Sequence, residues 1–209
     1  MTAIQSKTAF LYGKVRRALR SGCYVPGQRI DPTTIAEEFD ISATPVRFAL
    51  YRLVGEGLIA DHARTGLYVP LPSEVALRDL YDWMRRLLLM ACDIAMESTP
   101  AATAGLEADA AEQNVAGMTW QLFDAIARAA DHRPLQQAIE QANDRLAPVR
   151  RIGQGFVDDA HEELSALLRH WQARDIETLR SGLNAYHERR KALVPQIVAA
   201  FGDEGDFLH

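Results

Sequence analysis

The sequence predicts a mostly α-helical protein, with an N-terminal winged helix-turn-helix followed by an all-α helical bundle. Three short helical segments and then two β-like runs occupy residues 1–71. From Ser73 onward, apolar residues recur three and four positions apart, which is the spacing of one helix face, and no strand pattern appears. We therefore expect two domains, at residues 1–71 and 72–209.

The first two helices are predicted from an apolar stripe and a set of capping signals. Apolar residues recur at helical spacing across Phe10–Arg20. After a loop, the second helix is expected to take Asp31 as its N-cap, with Pro32 in the first helical position, where a missing N–H costs nothing. This helix is expected to end near Asp40.

The third helix and the β-hairpin wing complete the predicted N-terminal domain. Ser42 is expected to cap the third helix, and Gly57 to terminate it. The runs LIAD and LYVP then form two short strands, joined by the turn HARTG. One face of the helix is apolar, at Val46, Ala49, Leu50 and Leu53.

The second and third helices have the features of a helix-turn-helix, in which one helix braces another that enters the major groove of DNA. Ala36 is the small residue at the helix crossing, and Asp40 stands at a turn that requires left-handed backbone. Ser42, Thr44 and Arg47 would face the groove, where Arg can bind guanine with two hydrogen bonds. On a simpler interpretation, Ser42 only caps and Thr44 only begins the helix. The predicted locking residues are Ile35, Phe39, Ile41 and Val46.

The stretch Val15–Val69 resembles the DNA-binding domain of the GntR family of bacterial regulators. The matching pieces are PGQRI, PTTIAEEF, SATPVRFALYRL with the following GEGLI, and RTGLYV. That family usually has an arginine where Ala43 stands and a glutamate where Phe48 stands, so no base preference is carried over. The resemblance implies DNA contacts at Thr33, Ser42, Thr44, Arg47, Arg64 and Gly66.

The remainder of the chain is predicted to be helical almost throughout. A long first helix carries an apolar stripe, and residues 98–119 read as an Ala/Gly-rich loop with a short helix. Further helices are expected at about 120–131, 133–150, 158–172 and 175–200. The stripe of the long helix consists of Leu77, Leu80, Met84, Leu87, Ala91 and Ile94.

This helical part resembles, in a shortened and divergent form, the all-α effector domain of the family's fatty-acid-regulator (FCD) branch. The matches are Leu80-Tyr81, Phe123-Asp124 and residues 163–175. Many members bind a divalent metal through one Asp and three His, and the resemblance implies that the metal holds a carboxylate effector. The corresponding positions here are Trp120, Asp124, Leu164 and Tyr186. Such a set cannot hold a transition metal, so we expect no metal and no cofactor. Rescue by the nearby His161 or His187 is left open.

The same positions define the expected effector pocket. Aromatic walls with one acid suit an apolar or cationic ligand, whereas Arg145, Arg150 and Arg151 would either bind a carboxylate ligand or form a solvated face. The alternative is that side chains fill the cavity and nothing binds. The expected pocket residues are Arg85, Trp120, Asp124, Arg150, His161, Leu164 and Tyr186.

Composition and charge narrow the class of function. Residues 1–71 carry nine Lys/Arg and six Asp/Glu, whereas the rest carry fourteen and twenty-two, so the basic end suits contact with phosphate. We find no signal peptide, membrane-spanning run or catalytic motif, and expect a cytosolic protein that is not an enzyme. The expected function is a dimeric, ligand-responsive transcription regulator, most often a repressor in this family, on a palindromic operator. The alternative is a regulator without a small-molecule effector, which is constitutive or controlled by a partner protein.

Overall fold

The structure is a computed structural model that describes residues 3–97 and 114–206. Its chain divides into two compact units. The first contains the residues up to Leu71 together with the chain from Phe201 onward, and the second is Pro72–Ala200. Most of the described residues are helical and one small antiparallel sheet follows the N-terminal helices, which confirms the predicted fold class.

The first unit is a winged helix with one more strand than the sequence predicts. The added strand pairs with the wing, placing Arg29 opposite Tyr68 in a sheet of order β1-β3-β2. A two-residue strand is too short to show alternation, so its pattern was not visible in the sequence. The first helix also begins earlier than Phe10. The elements are α1 (Ala3–Ser21), β1 (Arg29–Ile30), α2 (Pro32–Glu38), α3 (Ala43–Gly55), β2 (Ala60–His62) and β3 (Gly66–Tyr68).

Local signals set the turn between α2 and α3 as predicted. The Asp31 carboxylate caps α2 by accepting a hydrogen bond from the Thr33 backbone N–H at 2.8 Å. Asp40 has φ of 49°, in the left-handed region, which confirms its role as the turn residue. Ser42 is the N-cap of α3, but its side chain makes no capping hydrogen bond. Its hydroxyl is therefore not used for capping.

One face of α3 is buried in the core of the first unit. Its side chains at Val46, Ala49, Leu50 and Leu53 are no more than 1% exposed. They pack with α1 and with α2, so the opposite face of α3 is the exposed one. The other buried core residues are Leu11, Val15, Leu19, Ile30, Ile35, Leu58, Ile59, Leu67 and Val69.

The second unit is a bundle in which α4 packs against α5, α6 and α8. No strand occurs among its described residues, and no helix in the described part of the chain is long and apolar enough to cross a membrane. Of the loop predicted at 98–119, residues 98–113 lie outside the described residues, and the part from Val115 onward belongs to α5. Helix α5 begins earlier than expected because the Asn114 side chain caps Gly117 at 2.8 Å. The helices are α4 (Glu74–Glu97), α5 (Val115–Ala129), α6 (Arg133–Gly153), α7 (Ala160–Gln172), α8 (Ile176–Ala192) and α9 (Val194–Asp206), with a 3₁₀ turn at Gln154–Phe156.

The predicted helix at 175–200 is wrong in one respect, because two helices occupy this stretch. Pro195 has no N–H, so it cannot donate the helical hydrogen bond to the carbonyl of Lys191. The Arg78 guanidinium donates to that carbonyl instead, at 2.8 Å. The chain therefore ends α8 at Ala192 and begins α9 at Val194, with no buried carbonyl left unsatisfied at this position.

An aromatic cluster around His187 forms the centre of the second unit. His187 is fully buried, stacks on Phe123 with 5.8 Å between ring centroids, and meets the edges of Tyr81 and Tyr186. Its Nδ1–H donates to the Leu183 carbonyl at 2.7 Å. Burial among these rings lowers the pKa of His187 to about 3, so the ring is neutral at physiological pH.

We predict that Asp40→Gly leaves the stability of the first unit unchanged or raises it, and that Asp40→Val lowers it by about 1–2 kcal/mol. Glycine adopts positive φ freely, whereas a β-branched residue does not. The measurement is the urea-unfolding midpoint followed by circular dichroism. Equal stability of the two variants would contradict the left-handed turn.

A second prediction concerns acid stability of the second unit. Because the pKa of His187 is lowered on folding, unfolding takes up a proton below pH 6.5, so this residue destabilises the fold as the pH falls from 6.5 towards 3. Between pH 6.5 and 5, wild type should lose about 2 kcal/mol more than His187→Asn, which keeps a donor for the Leu183 carbonyl.

Tryptophan fluorescence in urea measures this difference, and His161→Asn, at an exposed histidine, is the control. If the wild type and His187→Asn had the same pH dependence while the control behaved as wild type, the neutral state of His187 would be refuted.

Candidate DNA-binding surface and ligand cleft

The exposed face of α3 presents polar and aromatic side chains together. Thr44, Arg47, Phe48 and Tyr51 lie three or four residues apart, opposite the buried stripe, and all four are exposed. Arg47 makes no hydrogen bond or ion pair with any of the described residues. Its guanidinium is therefore available to an external acceptor, as groove contact requires.

The six predicted DNA-contacting residues all lie in the first unit. Ser42, Thr44 and Arg47 are exposed at and after the start of α3, and Thr33 is exposed in the first turn of α2. In the wing, Arg64 is exposed in the turn between β2 and β3. Gly66 begins β3 with φ of 94°, a conformation that side-chain-bearing residues rarely adopt.

Sequence reasoning missed two aromatic residues on this face. Phe48 is 61% exposed and Tyr51 is 54% exposed. Both lie outside the apolar stripe of α3, and that spacing was the signal that could have identified them. An exposed phenylalanine can contact the C5-methyl group of thymine, so this face offers apolar as well as hydrogen-bonding readout.

A second arginine of α3 has a structural role. The Arg52 guanidinium lies 3.8 Å from the ring centroid of Tyr12 on α1, and its Nε is 3.2 Å from the Glu56 carboxylate. The Tyr12 hydroxyl donates to Glu56 at 2.8 Å. Burial and the Glu56 carboxylate raise the pKa of Tyr12 to about 12. These contacts join α1 to α3. They also engage the Arg52 guanidinium within the fold, whereas that of Arg47 is available to an external acceptor.

The second unit contains a cleft with aromatic and arginine side chains in its wall. It encloses about 350 Å³ of space outside atoms, including its open mouth, but only a small part is wide enough for a water molecule. Residues from α4, α5, α6, α7, α8 and α9 contribute to it. The lining residues are Tyr81, Val115, Ala116, Thr119, Arg150, Gly153, Gln154, Ala160, Tyr186, Arg190, Leu193 and Ile197.

Two of the seven residues predicted for the effector pocket line this cleft, namely Arg150 and Tyr186. The structure places the other five predicted pocket residues away from the wall of this cleft. Arg85 contacts Asn184 and Asp82, Trp120 donates to Asp144 at 2.9 Å, Asp124 pairs with Arg128 at 2.6 Å, Leu164 is in the core, and His161 is exposed.

The positions that hold a metal in the resembled branch do not fit a metal here. Within residues 3–97 and 114–206, no three His, Cys, Asp or Glu side chains cluster closely enough to bind an ion. Trp120 and Leu164 offer no ligand atom, and the Asp124 carboxylate pairs with Arg128. His187 is neutral, but its Nδ1 is occupied by the Leu183 carbonyl and its ring is enclosed by aromatic side chains.

The three arginines considered as carboxylate ligands differ in burial. Arg145 is exposed and Arg151 is half-buried, whereas Arg150 is 5% exposed, lies 5.1 Å from the ring centroid of Phe123 and lines the cleft. On this helix, only Arg150 is both buried and directed into the space where a ligand would lie.

A family model and two curated relatives match part of this chain in sequence. Residues 7–69 match the family model described as "Bacterial regulatory proteins, gntR family". The chain is 37% identical over 57 residues to the Nta operon transcriptional regulator of Aminobacter aminovorans. It is 27% identical over 70 residues to the HTH-type transcriptional regulator YdhC of Bacillus subtilis. These matches cover 27% and 34% of this chain, and 27% and 31% of the relatives' own lengths.

Solved structures share the fold over nearly the whole chain. E. coli McbR/YncC has a TM-score of 0.70 at 24% identity, covering 94% of this chain and 99% of the other. A structural-genomics crystal structure from Rhodococcus sp. RHA1, described as a transcriptional regulator GntR, has a TM-score of 0.68 at 20% identity. The alignment covers 91% of this chain and 98% of the other. At these identities the likeness concerns the fold. The family match covers residues 7–69, so this segment is similar to the regulatory proteins of the gntR family.

Proposed function

We propose that the protein is a transcription regulator that binds a palindromic DNA operator as a homodimer and responds to a small ligand, most simply as a repressor. The observation that carries the proposal is the exposed face of α3, within the segment that matches the gntR family model. Thr44 and Arg47 lie there, and Arg47 has no partner among the described residues. The opposite face of α3, from Val46 to Leu53, is buried, so only the exposed side chains of this helix can enter the major groove.

The second unit is proposed to be a divergent FCD-type effector domain without a metal. Its support is the all-helical bundle, the likeness in fold to McbR/YncC over 94% of the chain, and the cleft that residues of α4, α5, α6 and α8 line. The side chains at the branch's metal positions oppose metal binding, so the ligand would be held by the protein's own side chains.

Homodimer formation is proposed on two grounds. A palindromic operator needs two reading heads related by two-fold symmetry. In addition, α4 exposes large apolar side chains at Val75, Trp83 and Met90, which are 70%, 51% and 51% exposed. Trp83 and Met90 are seven residues apart and so share a face of the helix, as a contact between two copies would require.

The experiment that tests the proposal is selection of bound DNA from a random pool by the purified full chain. A two-fold symmetric sequence is expected, with half-sites one helical turn apart, because each half-site accepts one α3. Recovery of no enriched sequence, or of an asymmetric one bound by a single chain, would contradict the proposed mode of binding.

We predict that Arg47→Ala weakens binding to the selected operator by about 1–3 kcal/mol and relaxes base preference at one pair of each half-site. The measurement is titration of fluorescent operator DNA and of its single-base variants. Arg169→Ala, another exposed helical arginine but in the second unit, is the matched control and should bind as wild type does. Unchanged affinity and preference in Arg47→Ala would show that Arg47 does not read this operator.

For the dimer, we predict that the double variant Trp83→Glu, Met90→Glu has the mass of one chain in light scattering, whereas wild type has that of two. Burying carboxylates in an apolar contact costs several kcal/mol unless they are paired. The control is Phe156→Glu, which changes an exposed aromatic of the same unit outside α4 and should remain dimeric. A dimeric double variant with a native circular dichroism spectrum would exclude this face as the interface.

A further inference from the structure

Two aromatic side chains of α3 lie outside the hydrophobic core of the first unit and outside the set of residues so far proposed to contact DNA. Phe48 is 61% exposed and Tyr51 is 54% exposed. Neither is among the residues that form the core or pack against it. Neither ring stacks on, or hydrogen-bonds to, another of the described residues. Their exposed surface is therefore available to an external partner.

The spacing of these residues places them beside the side chains proposed for the major groove. Thr44, Phe48 and Tyr51 follow one another at intervals of four and three residues, so they form one ridge along the exposed face. At about 1.5 Å per residue, Phe48 lies ~6 Å from Thr44 along the helix axis, and Tyr51 lies ~4.5 Å further on. The N-terminal part of a reading helix contacts the base edges. Reading of a base is therefore assigned to Phe48, which immediately follows Arg47, and not to Tyr51.

The charge around the ring suits DNA better than a protein partner. Residues 43–55 of α3 include two arginines and no aspartate or glutamate. The first unit as a whole carries nine Lys/Arg and six Asp/Glu over residues 1–71. A protein contact centred on Phe48 would also bury the neighbouring Arg47, which has no partner among the described residues, and burying an unpaired charge is costly. DNA instead supplies acceptors for that guanidinium on guanine and on phosphate.

The chemistry of phenylalanine limits what its ring can read in the major groove. The side chain has no hydrogen-bond donor or acceptor, so it cannot read the polar edge of a base. Thymine presents an apolar group there, its C5-methyl, whereas the other three bases present only donors and acceptors. Contact between the ring and this methyl removes apolar surface of both from water, which favours binding.

We propose that Phe48 is a specificity-determining residue that reads the C5-methyl group of a thymine, at a base pair next to the one bound by Arg47. The inference rests on the proposed function, because it requires α3 to lie in the major groove. It adds an apolar contact to the hydrogen-bonding readout by Arg47. It also implies that each half-site of the operator has a thymine at one fixed position.

The test replaces thymine by deoxyuridine, one position at a time, in both half-sites of the operator recovered by selection. This change removes one methyl group per half-site and leaves the hydrogen-bonding groups of the base pair unchanged. Titration of fluorescent operator with the full chain should show one position where affinity falls roughly four-fold for each methyl group removed. At that position 5-methylcytosine should bind better than cytosine by a similar ratio, since its methyl group lies at the same place.

Variants attribute the methyl effect to one side chain. Phe48→Ala should bind the thymine and deoxyuridine operators equally, because the ring that contacts the methyl is absent. Phe48→Leu keeps an apolar side chain and should retain part of the wild-type ratio. Thr44→Ser removes the methyl of the other candidate side chain and should leave the ratio as in wild type, whatever its effect on affinity. Phe156→Ala, at an exposed aromatic of the second unit, is the matched control and should bind as wild type does.

Three results would overturn the inference. The first is that no thymine of the half-site responds to loss of its methyl group. The second is that Phe48→Ala, with a native circular dichroism spectrum, keeps the wild-type ratio. The third is that Thr44→Ser alone abolishes the ratio. A Phe48→Ala variant with a changed mass in light scattering and an unchanged ratio would assign this face to a contact between copies instead.

Selection of the operator distinguishes failure of this inference from failure of the proposed function. If wild type enriches a symmetric operator but the methyl groups have no effect, the regulator stands and reading by Phe48 fails. If no sequence is enriched, the proposed function fails and the reading fails with it. A methyl effect at one position, present in wild type and absent in Phe48→Ala, supports both.

Discussion

Helix α3 can expose only one face, because the first unit buries the other completely. Its stripe from Val46 to Leu53 is no more than 1% exposed, and this packing fixes the rotation of the helix about its axis. The left-handed turn at Asp40 sets where the helix begins, and the contacts of Tyr12 with Arg52 and Glu56 tie its C-terminal half to α1. Everything proposed for DNA reading depends on these constraints, since a rotation of α3 by about 100° that placed Arg47 where Val46 lies would bury it.

The same helix carries two arginines, only five residues apart, that differ in their contacts within the protein. Arg52 is held over Tyr12 and beside Glu56, so its charge is already paired within the fold. Arg47, next to Phe48 on the exposed face, has no such contacts with the residues that the structure describes. A side chain fixed by the protein cannot adapt to a base edge, whereas a free guanidinium can do so at the cost of its own ordering. Arg52 therefore positions the helix, and Arg47 is the arginine that we propose for the groove.

The sequence predicted the elements where one residue controls the local structure. Asp31, Pro32 and Asp40 set the ends of α2 and its turn because capping and left-handed backbone are decided locally. Strand β1 was missed because its two residues are held only by pairing with β3. The cleft could not be read from the chain either. Arg145, Arg150 and Arg151 look alike in sequence, and only tertiary packing buries Arg150 with two nitrogens unpaired.

The two buried arginines of the cleft provide their own comparison. Arg190 has both an ion-pair partner in Glu163 and an aromatic face in Tyr186. Arg150 has an aromatic neighbour in Phe123 but no carboxylate partner within residues 3–97 and 114–206. A buried charge without a counter-ion costs several kcal/mol, and a leucine or methionine would fill the same volume without that cost. The two buried guanidiniums of this cleft therefore differ in how their charge is balanced: Glu163 pairs with Arg190, whereas no carboxylate of the described residues pairs with Arg150.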